Sequence, residues 1–199
     1  ILFIVADNQP ASILGSYGNP DVKTPNIDRL ASEGLRFTNA FAVHGMCSPT
    51  RATLLTGLLP SQHGVQDWLD DEEMKDWPGD WNAIREYRTL PYTLKNRGYQ
   101  TSLIGKWHLG LTSPNKPNER GFDFFHGFLG DMMDDYYTHR RHGNNYMYKN
   151  DVEIDPEGHA TDLFSQWSSD YLKSYSANQP FFLYLAYNAP HTPIQPPKE

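Results

Sequence analysis

The sequence predicts an α/β domain with a mostly parallel central sheet flanked by helices. Short apolar runs rich in β-branched residues alternate along the chain with segments of helical period, which is the pattern of strands joined by helices. The 199 residues, 38% of them hydrophobic, are enough for a domain with a core of its own. The single cysteine excludes a disulfide framework and a cysteine-rich zinc site.

Four apolar runs are predicted to form strands. Residues 1–6 (ILFIVA) are continuously apolar, which favours a strand buried on both faces of a parallel sheet. Residues 35–43 alternate loosely between apolar and polar side chains and indicate a second strand. Residues 99–104 and 180–187 are the other two runs with strand composition.

Four segments are predicted to form helices, over residues 24–34, 49–55, 89–97 and 160–175. Thr24 and Pro25 form a helix start of the N-cap and first-turn proline type, and Gly34 closes that helix. Pro49 opens the second helix in the same way, and that helix is predicted to close near Gly57. The intervening segments 66–87 and 110–155 are long and rich in Trp, Tyr, Asp, His and Gly, so they are predicted to be functional loops.

Charge and hydropathy exclude two classes of partner. The formal net charge is −7, and no basic tract offers the clustered Lys and Arg that phosphate neutralisation requires, so nucleic-acid binding is not expected. No stretch approaches the roughly 20 apolar residues needed to span a bilayer, so no membrane span is expected.

Chemically active side chains follow the predicted strands. Ligands of open α/β sheets bind outside the carboxyl ends of the strands. The residues at or just beyond these ends include a carboxylate, an amide, an ammonium, two imidazoles, a thiol and a guanidinium: Asp7, Asn8, Lys106, His108, His191, Cys47 and Arg51. One site at one edge of the sheet is therefore predicted.

The predicted site has the composition of an oxyanion pocket. Arg51 and Lys106 can clamp a sulfate or phosphate, and the helix that opens near Pro49 offers free backbone N–H groups. The helix start and Arg51 are expected to lower the pKa of the Cys47 thiol. Asp7 supplies a hard oxygen ligand suited to calcium or magnesium.

Residues 47–57 (CSPTRATLLTG) carry the pattern C-x-P-x-R followed by T-G, and this pattern resembles the signature of type I sulfatases of the alkaline phosphatase superfamily. Further similar segments lie at residues 1–9, 24–34, 37–41, 89–110, 120–128 and 181–193. The resemblance implies that residues 1–199 are the N-terminal part of a single sulfatase catalytic domain, with long substrate-loop insertions near 66–87 and 110–155.

The resemblance implies a sulfuric ester hydrolase in which a maturation enzyme oxidises Cys47 to Cα-formylglycine. One hydroxyl of the hydrated aldehyde attacks sulfur and the alcohol leaves. The second hydroxyl then loses its proton and expels sulfate, which regenerates the aldehyde. By the same resemblance, Arg51 holds the hydrate, Lys106 bridges it to a sulfate oxygen, His108 accepts a proton and His191 helps to protonate the leaving oxygen.

The resemblance also implies one calcium ion, bound by Asp7, Asn8 and the oxygen that replaces the Cys47 sulfur. Many sulfatases have two adjacent aspartates where this chain has Asp7 and Asn8, so one charge is missing. Calcium takes six to eight oxygens. The family's other metal ligands and its second sulfate-binding lysine are expected beyond Glu199, so the 199-residue chain alone is expected to bind calcium weakly and to hydrolyse little.

The expected substrate is a sulfated small molecule or glycan, with a sulfated carbohydrate favoured. The long loops carry Trp68, Trp77 and Trp81, which can stack on sugar rings or anchor the loop to the core. They also carry Arg140 and Arg141, which are expected to meet a second anionic group. The family is mostly exported or lysosomal, which favours a periplasmic or secreted location.

Three other functions are compatible with some of these residues. A phosphonate monoester or phosphodiester hydrolase of the same superfamily would use the same formylglycine. A sulfated-glycan-binding protein would leave Cys47 unmodified. A thiol-dependent hydrolase would pair Cys47 with His44 or His108, but the fixed spacing of Pro49 and Arg51 does not favour it.

Overall fold

A computed structural model describes residues 1–76, 84, 87–176 and 178–198, and it confirms the predicted α/β class. A six-stranded sheet has the order β1-β8-β2-β3-β6-β7. The first four strands in that order run parallel, and β6 and β7 extend the sheet as antiparallel strands. A two-stranded ribbon of β4 and β5 lies outside this sheet.

The strands are β1 (Leu2–Val5), β2 (Gln100–Lys106), β3 (Phe124–Phe128), β4 (Arg140–Arg141), β5 (Asn144–Asn145), β6 (Met147–Lys149), β7 (Val152–Glu153) and β8 (Phe181–Ala186). The helices are α1 (Pro25–Glu33), α2 (Cys47–Thr56), α3 (Pro60–His63), α4 (Asp71–Lys75), α5 (Leu90–Lys95) and α6 (Ala160–Ser174), with short 3₁₀ turns at Ala11–Ile13, Gly15–Tyr17 and Pro117–Arg120.

The core is centred on β2 and β8, whose side chains are buried on both faces of the sheet. In the parallel register Leu185 of β8 pairs with Ile4 on one side and with Ile104 on the other. The continuous apolar composition of these strands suits their position between helices and neighbouring strands. Helix α6 packs its buried residues, among them Phe164, against this core.

Two strand predictions need correction. Residues 1–6 do form β1, but Leu2 and Ile4 are 46% and 51% exposed, so β1 is not buried on both faces. Its only strand partner among the described residues is β8. Residues 35–43 do not form a strand, and Phe37 and Phe41 are exposed. Alternation gives a segment strand composition, but a strand also needs a partner for its backbone groups, and this segment pairs with none of the described strands.

The segment 110–155 is also more ordered than the loop predicted from its composition. It contributes β3 to the parallel part of the sheet and the hairpin strands β4 to β7. The run FFHGF is too short and too rich in polar and glycine residues to stand out as a strand. Its pairing with β2 is a long-range contact that the local pattern does not reveal.

Two glycines allow the strands to approach closely beside the predicted site. Gly105 has φ +107, and a Cβ there would lie 2.0 Å from the carbonyl oxygen of Ala186. A Cβ on Gly127 would lie 2.1 Å from the carbonyl oxygen of Gly105. Side chains at either position would push the strands apart, so both glycines are needed to set the position of Lys106 at the end of β2.

Candidate active site

The carboxyl ends of β1, β8 and β2 meet at one edge of the sheet, as parallel strands require. The Asp7 amide donates to the Ala189 carbonyl at 3.1 Å, which joins the segments that follow β1 and β8. Lys106 is the last residue of β2 and is fully buried. The strand ends therefore bring Asp7 and Lys106 together, although 99 residues of sequence separate them.

Asp7 is the centre of a buried charge cluster with Arg51 and Lys106. The Lys106 ammonium donates to Asp7 Oδ2, and Arg51 Nη2 lies 3.5 Å from the same oxygen. Burial by itself would raise the pKa of Asp7, but the charges of Arg51 and Lys106 outweigh it and lower that pKa to about 2. The carboxylate is therefore ionised at neutral pH, and the cluster carries one excess positive charge.

Cys47 lies at the start of α2, directly beside this cluster. Its thiol donates to Asp7 Oδ1 at 3.3 Å. Burial raises the pKa of the thiol, the nearby Lys106 lowers it, and the Asp7 carboxylate raises it again. Arg51 does lower this pKa, as the sequence predicted, but burial and Asp7 outweigh it. The net shift is upward, so the predicted low pKa of the thiol is wrong. Sequence alone does not show that a carboxylate accepts from the thiol.

Helix α2 presents Cys47 and Arg51 from one turn and buries the arginine. Met46 is the N-cap residue, and Gly57 ends the helix with the left-handed φ of 72°. Arg51 is 3% exposed, and its Nη1 donates to the Lys106 carbonyl at 2.9 Å. The guanidinium thus ties α2 to the end of β2 and fixes Cys47 at the sheet edge.

His108 lies at the site in a fixed orientation. Its Nε2 donates to the Leu69 carbonyl at 2.8 Å, and Ser48 Oγ lies 3.1 Å from Nε2 and 3.3 Å from Nδ1. The same hydroxyl oxygen accepts from the Leu69 amide at 3.1 Å. Burial, reinforced by Lys106, lowers the pKa of His108 well below its ordinary value. The imidazole is therefore neutral at neutral pH, with Nδ1 as its acceptor.

Ser48 is a site residue that the sequence analysis missed. It is fully buried and connects the start of α2 to His108 and Leu69. Its position next to Cys47 is the only sequence signal that could have identified it. A serine at the start of a helix is common enough that this signal alone predicts no contact with a histidine 60 residues away.

His191 approaches the cluster from the segment after β8. Its Nδ1 donates to the Thr192 carbonyl at 2.8 Å, which leaves Nε2 as the acceptor of the neutral ring. Ligand atoms of Asp7, Cys47 and His191 lie within 4.8 Å of one another, close enough to bind one metal ion. Asn8 has φ 62 and lines the same pocket as Cys47 and His191.

A pocket of about 410 Å³ opens onto these groups. Cys47, His108 and His191 line it. Trp68, Asp131 and Arg141 also line it, together with Met132 and residues of the 45–46 turn. The loops that precede α4 and follow β3 therefore border the same space as the catalytic candidates.

The other substrate-loop predictions meet different outcomes. Trp68 is 40% exposed at the pocket, whereas Trp77 and Trp81 lie outside the described residues. Arg140 pairs with Asp155 at 2.8 Å. Arg141 pairs with two other aspartates, so each of the two guanidinium groups already has a carboxylate partner.

The sulfatase family model matches residues 1–199. The chain belongs to the sulfatase family. It is 35% identical to mouse arylsulfatase J over 99% of this chain and 33% of that protein. It is 32% identical to human N-acetylgalactosamine-6-sulfatase, over 98% of this chain and 40% of the relative. With N-acetylglucosamine-6-O-sulfatase of Bacteroides thetaiotaomicron it shares 32% identity over 96% of this chain and 30% of that enzyme.

Solved structures agree with the sulfatase assignment. The structure of Ps i-CgsB in complex with k-i-k-neocarrahexaose superposes with a TM-score of 0.86 and 33% identity, over 98% of this chain and 46% of the other. BT4656, in complex with its substrate D-glucosamine-2-N,6-O-disulfate, gives 0.77 and 31%, over 99% of this chain and 35% of the other.

The sulfatase chain thus spans about a third of the length of the curated relatives it matches. Among its described residues, no helix is both long and apolar enough to cross a membrane.

Proposed function

We propose that this sulfatase hydrolyses sulfate esters of a carbohydrate, with a nucleophile derived from Cys47. The observation that carries the proposal is the contact of Cys47 with the buried Asp7, Arg51 and Lys106 cluster at the sheet edge. This arrangement places positive charge beside the one side chain that the family converts to formylglycine. Relatives named for amino-sugar sulfates support a carbohydrate substrate.

Each side chain of the site would have a separate role in the reaction. Arg51 would hold the hydrated aldehyde, Lys106 would bridge it to a sulfate oxygen, and both cations would offset the charge that develops during transfer. His108, neutral and oriented by its bond to Leu69, accepts a proton from the hydrated aldehyde at position 47. His191, whose ring is partly exposed at the pocket, would protonate the leaving oxygen from Nε2 in its doubly protonated form, because the Nδ1 hydrogen is held by the Thr192 carbonyl.

The residues also fit a calcium ion once Cys47 is matured. Asp7 gives a charged oxygen, Asn8 an amide oxygen, and formylglycine would replace the soft sulfur with oxygen donors that calcium prefers. The ligand atoms at positions 7 and 47 already lie within 4.8 Å of each other. When bound, the ion would supply Lewis-acid stabilisation of charge at the reacting oxygens.

Two of the alternatives are less well supported. The relatives compared above are named as sulfatases. Their names therefore do not favour a phosphonate or phosphodiester hydrolase. A thiol nucleophile needs a lowered pKa, whereas burial and Asp7 raise that of Cys47. A glycan-binding protein with unmodified Cys47 is the alternative that the following experiment separates.

Mass spectrometry of the peptide containing Cys47, from protein made in its own host, tests the proposal directly. Conversion of CH₂SH to CHO should lower the peptide mass by about 18 Da, and the product should react with a hydrazide. The same preparation should release sulfate from 4-nitrophenyl sulfate. An unmodified thiol in a preparation without sulfatase activity would instead favour a sulfated-glycan-binding protein.

Calcium removal gives a second test on the same preparation. Chelation should abolish sulfate release, and calcium at about 100 times its Kd should stabilise the folded protein by about 2.7 kcal/mol. Thermal unfolding with and without calcium measures this difference. The Asp7→Asn variant should show little calcium-dependent shift, and a full shift in that variant would place the ion elsewhere.

We further propose that residues 1–199 form the N-terminal part of a single catalytic domain, served by a formylglycine-generating maturation enzyme and exported to the periplasm or secreted. The six-stranded sheet, in which β1 pairs with β8, supports one domain because it joins segments from both ends of the described residues. Export rests on the family alone, and fractionation of host cells measures it.

A further inference from the structure

Asp131, Arg141 and Trp68 form a wall of the pocket at Cys47, and the proposed reaction does not use this wall. Arg141 meets Asp131 side by side, with Nε 2.9 Å from Oδ1 and Nη2 3.1 Å from Oδ2. On its other side, Nη1 donates to Asp134 Oδ1 at 2.9 Å. Trp68, 40% exposed, lines the same pocket.

Hydrogen bonds to the buried Asp71 hold Asp131 of this wall in place. Asp131 is 3% exposed, and its amide donates to both carboxylate oxygens of the buried Asp71, at 3.1 and 2.9 Å. A Cβ on Gly130 would lie 2.4 Å from Asp71 Oδ2, so glycine is needed for this approach. Burial and the neighbouring Asp131 raise the pKa of Asp71 to about 8, which leaves Asp71 mainly protonated at neutral pH.

The charge of the wall does not suit a second anion. Arg141 contributes one positive charge and its two aspartate partners contribute two negative charges, so the three groups carry a formal charge of −1. A sulfate brought here would have to compete with two carboxylates already in place and would be repelled by them. This departs from the second anionic group expected from the sequence.

The same groups suit uncharged hydroxyls. Each terminal nitrogen of Arg141 carries two hydrogens and uses one for an aspartate, so a donor remains on each. Carboxylate oxygens accept from sugar hydroxyls, and the guanidinium donates to them. An aromatic face such as that of Trp68 packs on the apolar face of a sugar ring.

We propose that Asp131, Arg141 and Trp68 form a subsite for the free hydroxyls of a monosulfated sugar, whose single sulfate ester lies at Cys47. The inference rests on the proposed sulfatase function and adds the class of sugar. It predicts discrimination against sugars with a second sulfate on the part that reaches Arg141.

The test compares three sulfate esters with the matured protein from its own host. The substrates are N-acetylglucosamine 6-sulfate, D-glucosamine 2-N,6-O-disulfate and 4-nitrophenyl sulfate, which lacks sugar hydroxyls. The wild-type protein should give a kcat/KM at least tenfold higher for the monosulfated sugar than for the disulfated one. N-Acetylgalactosamine 6-sulfate serves as a second monosulfated sugar.

Arg141→Ala should lower kcat/KM for the monosulfated sugars at least tenfold more than for 4-nitrophenyl sulfate. Trp68→Ala, at an exposed position, should show the same preference even if loss of Arg141 impairs folding. The matched control is Arg140→Ala, because Arg140 pairs with Asp155 and does not line the pocket. It should change each kcat/KM by less than twofold.

The outcomes separate the two proposals. No hydrolysis of any of these esters by protein with matured Cys47 would overturn the proposed function and the subsite together. Hydrolysis of 4-nitrophenyl sulfate alone, or equal losses on all substrates in both variants, would overturn only the subsite. A larger loss on the disulfated sugar in Arg141→Ala would show that Arg141 binds a second sulfate, which also overturns it.

Discussion

Replacing Cys47 by alanine is expected to lower kcat for sulfate ester hydrolysis by at least about 10⁴-fold, because it removes the atom from which the nucleophile is made. The fold should be retained. Among the described residues, the side-chain hydrogen bonds of the thiol both go to Asp7, which keeps its stronger contacts with Arg51 and Lys106. Steady-state kinetics and thermal unfolding together check both statements.

The Cys47→Ser variant tests whether the second hydroxyl of the hydrated aldehyde is needed to release sulfate. A serine hydroxyl can attack sulfur, but serine lacks the second hydroxyl that expels sulfate from the hydrated aldehyde. The variant should therefore stop after one transfer and carry an added SO₃ of about 80 Da, visible by mass spectrometry of the intact protein. Sustained turnover by Cys47→Ala would contradict the role of this residue.

Asp7→Asn is expected to have the largest effect on stability. Asp7 is the anion that the structure places between Arg51 and Lys106, both of them buried. The substitution keeps the shape of the side chain but leaves two buried cations side by side. The free energy of unfolding should fall by about 3–5 kcal/mol, measured with denaturant in the presence of chelator so that calcium does not contribute.

A second substitution tests whether repulsion between the two buried cations causes the loss of stability in Asp7→Asn. Adding Lys106→Met to Asp7→Asn removes one of the two opposed cations and should restore about 1 kcal/mol or more of the lost stability. Sulfatase activity should not return, since Lys106 is proposed to hold the sulfate. The control is Glu72→Gln, which breaks an exposed pair with Lys75 and should cost less than about 1 kcal/mol. A double variant less stable than Asp7→Asn would contradict the electrostatic explanation.

The sequence was informative wherever local chemistry decides the structure. Thr24 and Pro25 begin α1, and Gly57 ends α2, because caps depend on a few adjacent residues. The strand-end rule located Asp7 and Lys106 correctly at one edge, because parallel strands place their carboxyl ends together. The structure confirms this proximity, while the roles of these residues stay predictions.

Features that depend on contacts between distant parts of the chain could not be predicted from the sequence pattern. Nothing in residues 1–6 shows that β1 has β8 as its strand partner and leaves Leu2 and Ile4 half exposed. The pKa of Cys47 was predicted in the wrong direction, because burial and the bond to Asp7 depend on residues 40 positions apart. The pairing of Arg141 with Asp131 and Asp134 likewise depends on how the segment 131–141 folds.

The strand order has a consequence for when the site forms during synthesis. Strand β8, the last of the described strands, lies between β1 and β2, so Asp7 and Lys106 cannot take their final positions until residues 181–186 have left the ribosome. Cys47 is synthesised roughly 140 residues before the end of β8, which at about 5–20 residues per second is a delay of about 7–28 s. During that interval the CSPTR segment remains outside its finished pocket, in a form that an enzyme acting on Cys47 could bind as a peptide.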